Sequence, residues 1–235
     1  MSFYAIVLFW AVLVPVVFSF NRRIGYYRKF KSLAAGISIT ALLLIATDAL
    51  FVQSGVWGFN ADYVWPLRFL HLPLEEWLFF VAIPYASIFI YESLRILLPP
   101  ITYGKWMQRL TWALAILCML TALTNPFRLY TFWASSIAAV LLVWHALFKK
   151  AWMGNFWLAF GVHLIPFLVV NGLLTGMATE HPVVWYNPEE NLGLRIFTIP
   201  VEDLVYALIM LLVPVSIIES IEAKKNTFKE SMLFV

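Results

Sequence analysis

Charged residues are scarce in this chain: Asp, Glu, Lys and Arg make up 12% of its 235 residues, whereas 63% of the residues are hydrophobic. A soluble domain of this composition would lack the polar side chains needed to cover its surface. The sequence therefore excludes an ordinary water-soluble globular protein. The net charge of +3 is small, and it does not indicate a protein that binds nucleic acid.

Cysteine, clustered histidine and glycine-rich motifs are also missing. Cys118 is the single cysteine, which excludes an intramolecular disulfide and a cysteine-rich metal site. His145 and His163 lie in separate apolar segments without the spacing of a membrane di-iron site, so we expect no metal. No GxGxxG segment occurs, so the dinucleotide-binding fold is not expected. We predict no cofactor, although a flavin with a non-redox role stays open.

Long hydrophobic runs are what the chain has in abundance. A transmembrane helix needs about 17–25 mostly apolar residues. Seven stretches satisfy this requirement: 3–20, 33–52, 76–98, 107–124, 130–148, 156–176 and 200–221. The sequence therefore predicts an all-α integral membrane protein with about seven transmembrane helices.

Basic residues occur mainly in alternate loops. They follow the first, third, fifth and seventh spans, as Arg22, Arg23, Arg28, Lys29 and Lys31, then Arg95, Lys105 and Arg109, then Lys149 and Lys150, then Lys224, Lys225 and Lys229. The positive-inside rule then places the N-terminus outside and the C-terminus in the cytoplasm. Because no basic residue precedes the first span, we expect a retained helix rather than a cleaved signal peptide.

The chain contains an internal repeat. A shift of 127 residues places polar residues on identical ones: Asn60 on Asn187, Arg68 on Arg195, Pro73 on Pro200, Glu75 on Glu202, Glu92 on Glu219 and Ser93 on Ser220. A four-residue gap then pairs Asp48 with Asn171. We predict two parallel three-helix repeats, residues 1–98 and 130–235, joined by a linker helix within residues 99–129.

Each repeat carries adjacent acids at the start of its third helix, Glu75-Glu76 in "LPLEEWLFF" and Glu202-Asp203 in "IPVEDLVY". Proline suits the first turn of a helix and carboxylates there are favoured by the helix dipole, so these acids could simply be capping groups. In that interpretation Arg68 and Arg195 pair with them. We further expect a supporting polar network of Asp48, Asn60, Arg68, Asn171, Asn187 and Arg195.

The excess of acids over bases favours a catalytic interpretation. One arginine per repeat cannot neutralise two or three nearby carboxylates, so either water does so or one carboxyl carries a proton at neutral pH. A protonated carboxyl in an apolar, aromatic-lined pocket is a general acid. Consecutive helical residues point about 100° apart. We therefore expect only the first acid of each pair, Glu75 and Glu202, to face the site.

The segments "GVWGFN", "LPLEEWLFF", "IPY", "NGLLTG", "YN" and "IPVEDLVY" together resemble the small membrane lycopene cyclases. The chain is similar to the fused form, in which two short three-helix polypeptides have become one. This resemblance extends over nearly the whole chain. It implies that the motif positions of the family are Pro73, Glu75, Glu76, Pro200, Glu202 and Asp203, and that the four acids are the catalytic residues.

The resemblance implies an intramolecular lyase or isomerase that converts lycopene, or a related linear carotenoid, into β-carotene or γ-carotene without redox change. An acid donates a proton, a base removes another, and aromatic rings stabilise the cation; candidates are Trp57, Trp65, Trp77, Tyr85, Trp185 and Tyr206. The implied surroundings are the lipid bilayer of a bacterial or archaeal cell membrane and other carotenoid-pathway enzymes.

Two other functions fit some of these features. Small transporters also have a three-plus-one-plus-three helix plan, although their polar groups lie at the middle of the membrane. A retinal photoreceptor would need a Schiff-base lysine, which the span 200–221 lacks. His71 is a weaker candidate for proton relay because its repeat partner is Thr198. We expect Glu92 and Glu219 to be cytoplasmic helix-end groups.

Overall fold

The computed structural model describes the backbone of residues 1–233 and the side chains of residues 1–225. It confirms an all-α fold in this part of the chain. Seven α-helices follow one another: α1 (Phe3–Ser19), α2 (Phe30–Gln53), α3 (Leu74–Leu97), α4 (Lys105–Thr124), α5 (Leu129–Phe148), α6 (Met153–Leu174) and α7 (Glu202–Leu233). Short 3-10 turns occupy Tyr26–Lys29 and Pro188–Glu190.

The helices have the length and surface of a membrane protein. Helices α2 to α7 are long and apolar enough to cross a bilayer, and α1 is a shorter apolar helix of 17 residues. At about 1.5 Å per residue, α1 extends for about 25 Å. Large apolar side chains such as Leu42, Val140 and Ile165 are each 68% exposed, as expected for residues that face lipid. The predicted spans agree with these helices to within a few residues, except that α7 continues to Leu233, 12 residues beyond the predicted end at residue 221.

Three small β-sheets lie in the loops that precede α3 and α7. Strand β1 (Trp57–Phe59) pairs antiparallel with β4 (Val184–Tyr186) and thereby joins the corresponding loops of the two halves. Strands β2 (Arg68–Phe69) and β3 (Leu72–Pro73) form one hairpin, and β5 (Arg195–Ile196) and β6 (Ile199–Pro200) form the other. Each half therefore has the same order of elements before its last helix.

The β1–β4 pairing depends on a glycine. A Cβ atom at Gly58 would lie 2.4 Å from the ring of Trp185, much closer than a van der Waals contact. Glycine lets the indole lie directly against the strand. This close contact holds together the two loops that contain β1 and β4.

Helices of the two halves are interleaved. Within the first half α1 packs against α3, whereas α2 packs against α7 and α3 packs against α6 of the other half. Gly36 permits the α2–α7 contact, because a Cβ atom there would lie 3.0 Å from the Pro214 carbonyl oxygen. Helix α4 packs mainly along α5. The protein core is therefore shared between the halves.

An ion-pair cluster lies at the opposite end of α3 from its acidic pair. Lys29 Nζ and Arg95 Nη2 lie 2.7 and 2.9 Å from Glu92 Oε2, and Arg95 Nη1 lies 2.7 Å from Glu219 Oε1. Glu92 is 16 residues beyond Glu76, or about 24 Å along the helix at 1.5 Å per residue. Glu92 lies five residues before the end of α3, as predicted, whereas Glu219 lies inside α7, which continues to Leu233.

The start of α6 provides a test of this packing. A Cβ atom at Gly154 would lie 2.0 Å from the backbone oxygen of Ile101. We expect Gly154→Ala to lower the free energy of unfolding by about 1–3 kcal/mol, because rigid backbone cannot move aside. Gly161→Ala is the matched control, since nothing lies within 4 Å of its Cβ position. Thermal unfolding in detergent measures both, and equal stability of the two variants would contradict the packing.

Candidate active site

The two β-hairpins lead directly into the acidic ends of α3 and α7. Pro73 is the N-cap of α3, with φ −64° and ψ 154°, and it pairs with Arg68 across the hairpin. Pro200 pairs with Arg195 in the same way and precedes α7 by two residues. The prolines thus lie just before the helices rather than in the first turn. Their fixed φ suits this extended position, which needs no donor N–H group.

The first acid of each pair is buried against its own half. Glu75 accepts hydrogen bonds from the Ser2 hydroxyl and from the Trp65 N–H, the latter at 2.7 Å. Glu202 accepts the corresponding bonds from Thr131 Oγ1 at 2.6 Å and from the Leu192 N–H at 2.7 Å. Each of these carboxylates therefore ties its hairpin loop to the first helix of the same half.

The second acid of each pair faces a central cavity. Glu76 and Asp203 line it together with Asp48 and Asn171, and all four side chains are buried. The prediction that Glu75 and Glu202 face the site is therefore wrong, because neither lines this cavity. Consecutive helical residues do diverge by about 100°, but the backbone N–H groups of the loops hold the first acid and turn the second inward.

Asp203 is surrounded by hydrogen-bond donors. It accepts bonds from Tyr130 Oη at 2.5 Å, Asn171 Nδ2 at 2.5 Å and Tyr186 Oη at 3.0 Å. Burial, followed by the nearby Asp203 charge, raises the pKa of the Tyr186 phenol well above its usual range. Tyr186 therefore remains a donor at any physiological pH. Three donors stabilise the ionised form of the Asp203 carboxylate.

The equivalent acid of the first half has fewer donors. Glu76 accepts one hydrogen bond, from Tyr4 Oη at 2.6 Å, and it interacts electrostatically with Asp48. The Oδ2 atom of Asp48 is buried and has no hydrogen-bond partner. Asp48 thus replaces the amide donor that Asn171 provides in the second half. Other corresponding positions of the cavity also differ, such as Glu76 and Asp203, but among the lining residues only this pair exchanges a carboxyl group for an amide.

Arginines do not neutralise these acids. Arg68 is exposed and donates to the His71 carbonyl at 3.4 Å, and Arg195 is exposed and donates to the Thr198 carbonyl at 2.6 Å. Each guanidinium closes its own hairpin. Within residues 1–225, the ion pairs are those of Glu92, Glu219 and Glu222. The proposed pairing of the arginines with the acidic motif is therefore wrong.

Asn60 and Asn187 stabilise the loops instead of entering the cavity. The Asn60 side chain accepts a hydrogen bond from the Asp62 N–H at 3.1 Å, and that of Asn187 accepts one from the Glu189 N–H at 3.1 Å. The backbone N–H groups of both asparagines bind across the β1–β4 region, to Val183 and Val56. Of the expected polar network, only Asp48 and Asn171 line the cavity.

Aromatic side chains form most of the cavity wall. They are Tyr4, Trp57, Phe59, Phe79, Phe80, Tyr130, Phe167, Tyr186 and Tyr206. Of the six aromatic residues predicted to face the cation, Trp57 and Tyr206 are in this wall. The other four are not among the lining residues: Trp77 donates to the Phe69 carbonyl, Tyr85 contacts Ser19, Trp185 covers Gly58 and the Trp65 N–H binds Glu75. Sequence reasoning missed Tyr4 and Tyr130. Each is the second residue of the first helix of its half, so an alignment of those helices would have paired them.

The cavity is small and contains no evident metal site. Its volume is about 50 Å³, which is room for a few water molecules at about 10–15 Å³ each. In the described part of the chain, no three His, Cys, Asp or Glu side chains are arranged to hold a metal ion. The cavity therefore provides carboxyl groups, phenols and aromatic faces. Such groups suit proton transfer to an apolar molecule.

The fold and the cavity define a polytopic helical membrane protein with a buried cluster of acids. The family model described as lycopene cyclase matches residues 1–94 and 127–221, which together make up most of the chain. The chain belongs to the lycopene cyclase family. The family implies an enzyme of carotenoid biosynthesis that acts on a linear carotenoid. No curated protein and no solved structure matches the chain.

Removing the first acids should destabilise the protein. In Glu75→Ala and Glu202→Ala, the buried N–H groups of Trp65 and Leu192 lose their acceptors. Each loss should cost about 1–3 kcal/mol of unfolding free energy, measured as a lower midpoint of thermal unfolding. Glu189→Ala, in an exposed loop, is the control and should leave the midpoint unchanged. Wild-type stability of Glu75→Ala and Glu202→Ala would contradict a structural role.

Proposed function

We propose that the protein closes the ψ-end groups of lycopene, or of a related linear carotenoid, into β-rings by an acid-initiated reaction without net redox change. The observation that carries this proposal is the group of three buried carboxyls, Asp48, Glu76 and Asp203, in an aromatic-walled cavity without a basic partner. Family membership supplies the substrate class. The cavity residues supply the means for proton transfer.

The proposed reaction moves protons only. A carboxyl group donates a proton to C-2 of the terminal double bond, which leaves a tertiary cation at C-1. The C-5/C-6 double bond attacks this cation, forming the C-1–C-6 bond and moving the positive charge to C-5. Loss of the C-6 proton to a base creates the ring double bond. Substrate and product are isomers, so no electron donor or acceptor is consumed.

In our proposal the first half holds the proton donor. Asp48 and Glu76 interact electrostatically, and Tyr4 donates its hydrogen bond to Glu76, which leaves Asp48 Oδ2 without a partner. Two ionised carboxylates cannot be buried side by side without a large cost. A proton held between Asp48 and Glu76 removes that cost. It joins the two side chains as the amide hydrogen of Asn171 joins Asn171 to Asp203 in the second half. That proton is the one transferred to C-2.

Asp203 is the proposed base. Its three hydrogen bonds from Tyr130, Tyr186 and Asn171 favour the carboxylate form. It lines the same cavity as Glu76, so the proton that leaves C-6 has a nearby acceptor. Return of this proton to the Asp48–Glu76 pair restores the starting state. Glu75 and Glu202, in this scheme, position the helices and loops that carry the reacting acids.

The cavity wall fits the needs of the cation. Aromatic faces attract positive charge, and this attraction is stronger when water is absent. Phe79, Phe80 and Phe167 provide apolar surface, and the phenols of Tyr4, Tyr130 and Tyr186 direct their hydrogens to the acids. Excluding water also prevents its addition to the cation. The wall therefore supports ring closure over trapping by water.

The organisation of the chain follows from the same proposal. We assign residues 1–98 and 130–235 to two cyclase repeats and residues 99–129 to a linker that contains α4. The unmatched segment between the two family matches supports this division. The basic residues near Lys29 and Arg95 support a cytoplasmic position for that end of the bundle, which leaves the cavity and the N-terminus near the outer face.

Expression in cells that accumulate lycopene tests the function. Wild-type protein should convert the red pigment into β-carotene or γ-carotene, identified by chromatography. Asp48→Asn, Glu76→Gln and Asp203→Asn should each lower the rate by about 10²–10⁴-fold, the usual contribution of general acid–base groups. Asp62→Asn and Glu189→Gln lie in exposed loops and serve as charge-matched controls. Unchanged lycopene with well-inserted wild-type protein would reject the function.

Heavy water tests the reaction type. If a carboxyl donates an exchangeable proton, purified protein in deuterated buffer should place one deuteron at C-2 of each new ring. The reaction should need no added electron donor. The mass of the product should exceed that of the substrate only because deuterium has replaced hydrogen, once for each new ring. Mass spectrometry and NMR locate the label. Product without deuterium at C-2, or lighter than substrate by two hydrogens, would exclude acid initiation.

A further inference from the structure

A second and larger cavity lies between α1, α3 and α6. Its volume is about 690 Å³, and we call it the α1–α3–α6 groove. Apolar side chains form nearly all of its wall, among them Val7, Val14, Ile83, Ile90, Pro166 and Val170. The Ser87 hydroxyl at the wall is already bonded to the Ile83 carbonyl at 2.6 Å. The groove therefore suits a long molecule that has no polar groups.

The groove lies next to the acid cavity. Phe79, Phe167 and Asn171 line both spaces, and Asn171 Nδ2 lies 2.5 Å from Asp203 Oδ2. The inner end of the groove thus reaches Asn171, the hydrogen-bond partner of Asp203. The side chains of Phe79, Phe167 and Asn171, which line both spaces, lie between the groove and the acids.

The groove has the length of part of a linear carotenoid and opens toward lipid. Its wall on α1 extends from Phe3 to Pro15, about 18 Å at 1.5 Å per residue, which is more than half of the roughly 30 Å hydrocarbon core. Trp10, Val14 and Val169 lie at its rim and are 65%, 57% and 60% exposed. A polyene could therefore enter sideways from the bilayer.

The corresponding position in the second half is filled. Trp133 is the repeat counterpart of Val7, in the same register that pairs Tyr4 with Tyr130. Its indole packs against Phe51 and Tyr206, with ring centroids 5.7 and 5.8 Å apart. Bulky rings thus occupy the place where the first half has open space. The two halves therefore differ beside the cavity, and the open space lies in the first half.

The geometry points to the α1–α3–α6 groove as the binding site for one arm of the linear carotenoid, with the reacting end group at Glu76 and Asp203 and the other arm in the bilayer. This inference rests on the proposed function, because the occupant is the cyclase substrate. The acid cavity alone, at about 50 Å³, cannot hold a carotenoid. The groove supplies the missing apolar surface.

Filling the groove tests the assignment. Ala86 on α3 and Ala11 on α1 line it, so Ala86→Trp and Ala11→Trp should place an indole where the polyene would lie. Because the space is open, both variants should unfold at the wild-type temperature. In liposomes with lycopene, each should lower kcat/KM by about tenfold or more. Ala113→Trp, on the exposed face of α4, is the matched control and should retain the wild-type kcat/KM.

Retention of lycopene separates this inference from the proposed function. The Glu76→Gln variant, purified from liposomes, should retain lycopene measured by its absorbance, and wild-type protein should retain lycopene together with its cyclised product, whereas Ala86→Trp and Ala11→Trp should lose both. Wild-type retention without ring formation would overturn the proposed function and leave the groove assignment intact. Normal cyclisation and normal retention in both groove variants would overturn the groove assignment and show a lipid-filled space. A folded Ala11→Trp suffices if Ala86→Trp does not fold.

Discussion

Three carboxyl groups buried together in an apolar bundle impose the main constraint on this protein. Asp48, Glu76 and Asp203 are at most 6% exposed, and neither Arg68 nor Arg195 approaches them. Hydrocarbon makes unpaired polar groups expensive, so the surrounding structure must provide hydrogen bonds. Phenols and an amide do so for Glu76 and Asp203. The hairpins, the β1–β4 pairing and the first turns of four helices all contribute to holding those donors in place.

Different interactions stabilise the helix bundle at different depths. The middle of the bundle is held by apolar contacts and by close helix approaches such as that of Gly36 to the Pro214 carbonyl. Charged side chains at the far end neutralise one another around Glu92. At the near end the acids are held by neutral donors instead. A set of carboxyls without cations is costly for stability, and it is the arrangement that proton transfer to an unfunctionalised hydrocarbon requires.

Much of the fold could be predicted from the sequence, because membrane helices are recognised by their length and hydropathy. Polar residues are rare in this chain, so their recurrence at a fixed spacing revealed the repeat. The repeat also pairs Asp48 with Asn171, and both residues line the same cavity. The inward direction of Glu76 rather than Glu75 could not be predicted, since it depends on which carboxylate the Trp65 N–H binds. The predicted ion pairs of Arg68 and Arg195 with the acids are wrong for a similar reason, because each guanidinium donates to a carbonyl within its own hairpin.

The replacement of Asp48 by Asn171 at the corresponding position of the second half has an evolutionary consequence. In a homodimer built from one gene product, every substitution appears twice, so this position would be aspartate in both subunits or asparagine in both. Two aspartates would leave Asp203 without its amide donor, and two asparagines would remove the carboxyl beside Glu76. Duplication within one polypeptide lets the two copies diverge separately around a shared cavity. A single chain with two diverged halves can thus place a carboxyl beside Glu76 and an amide beside Asp203, an asymmetry that exact symmetry forbids.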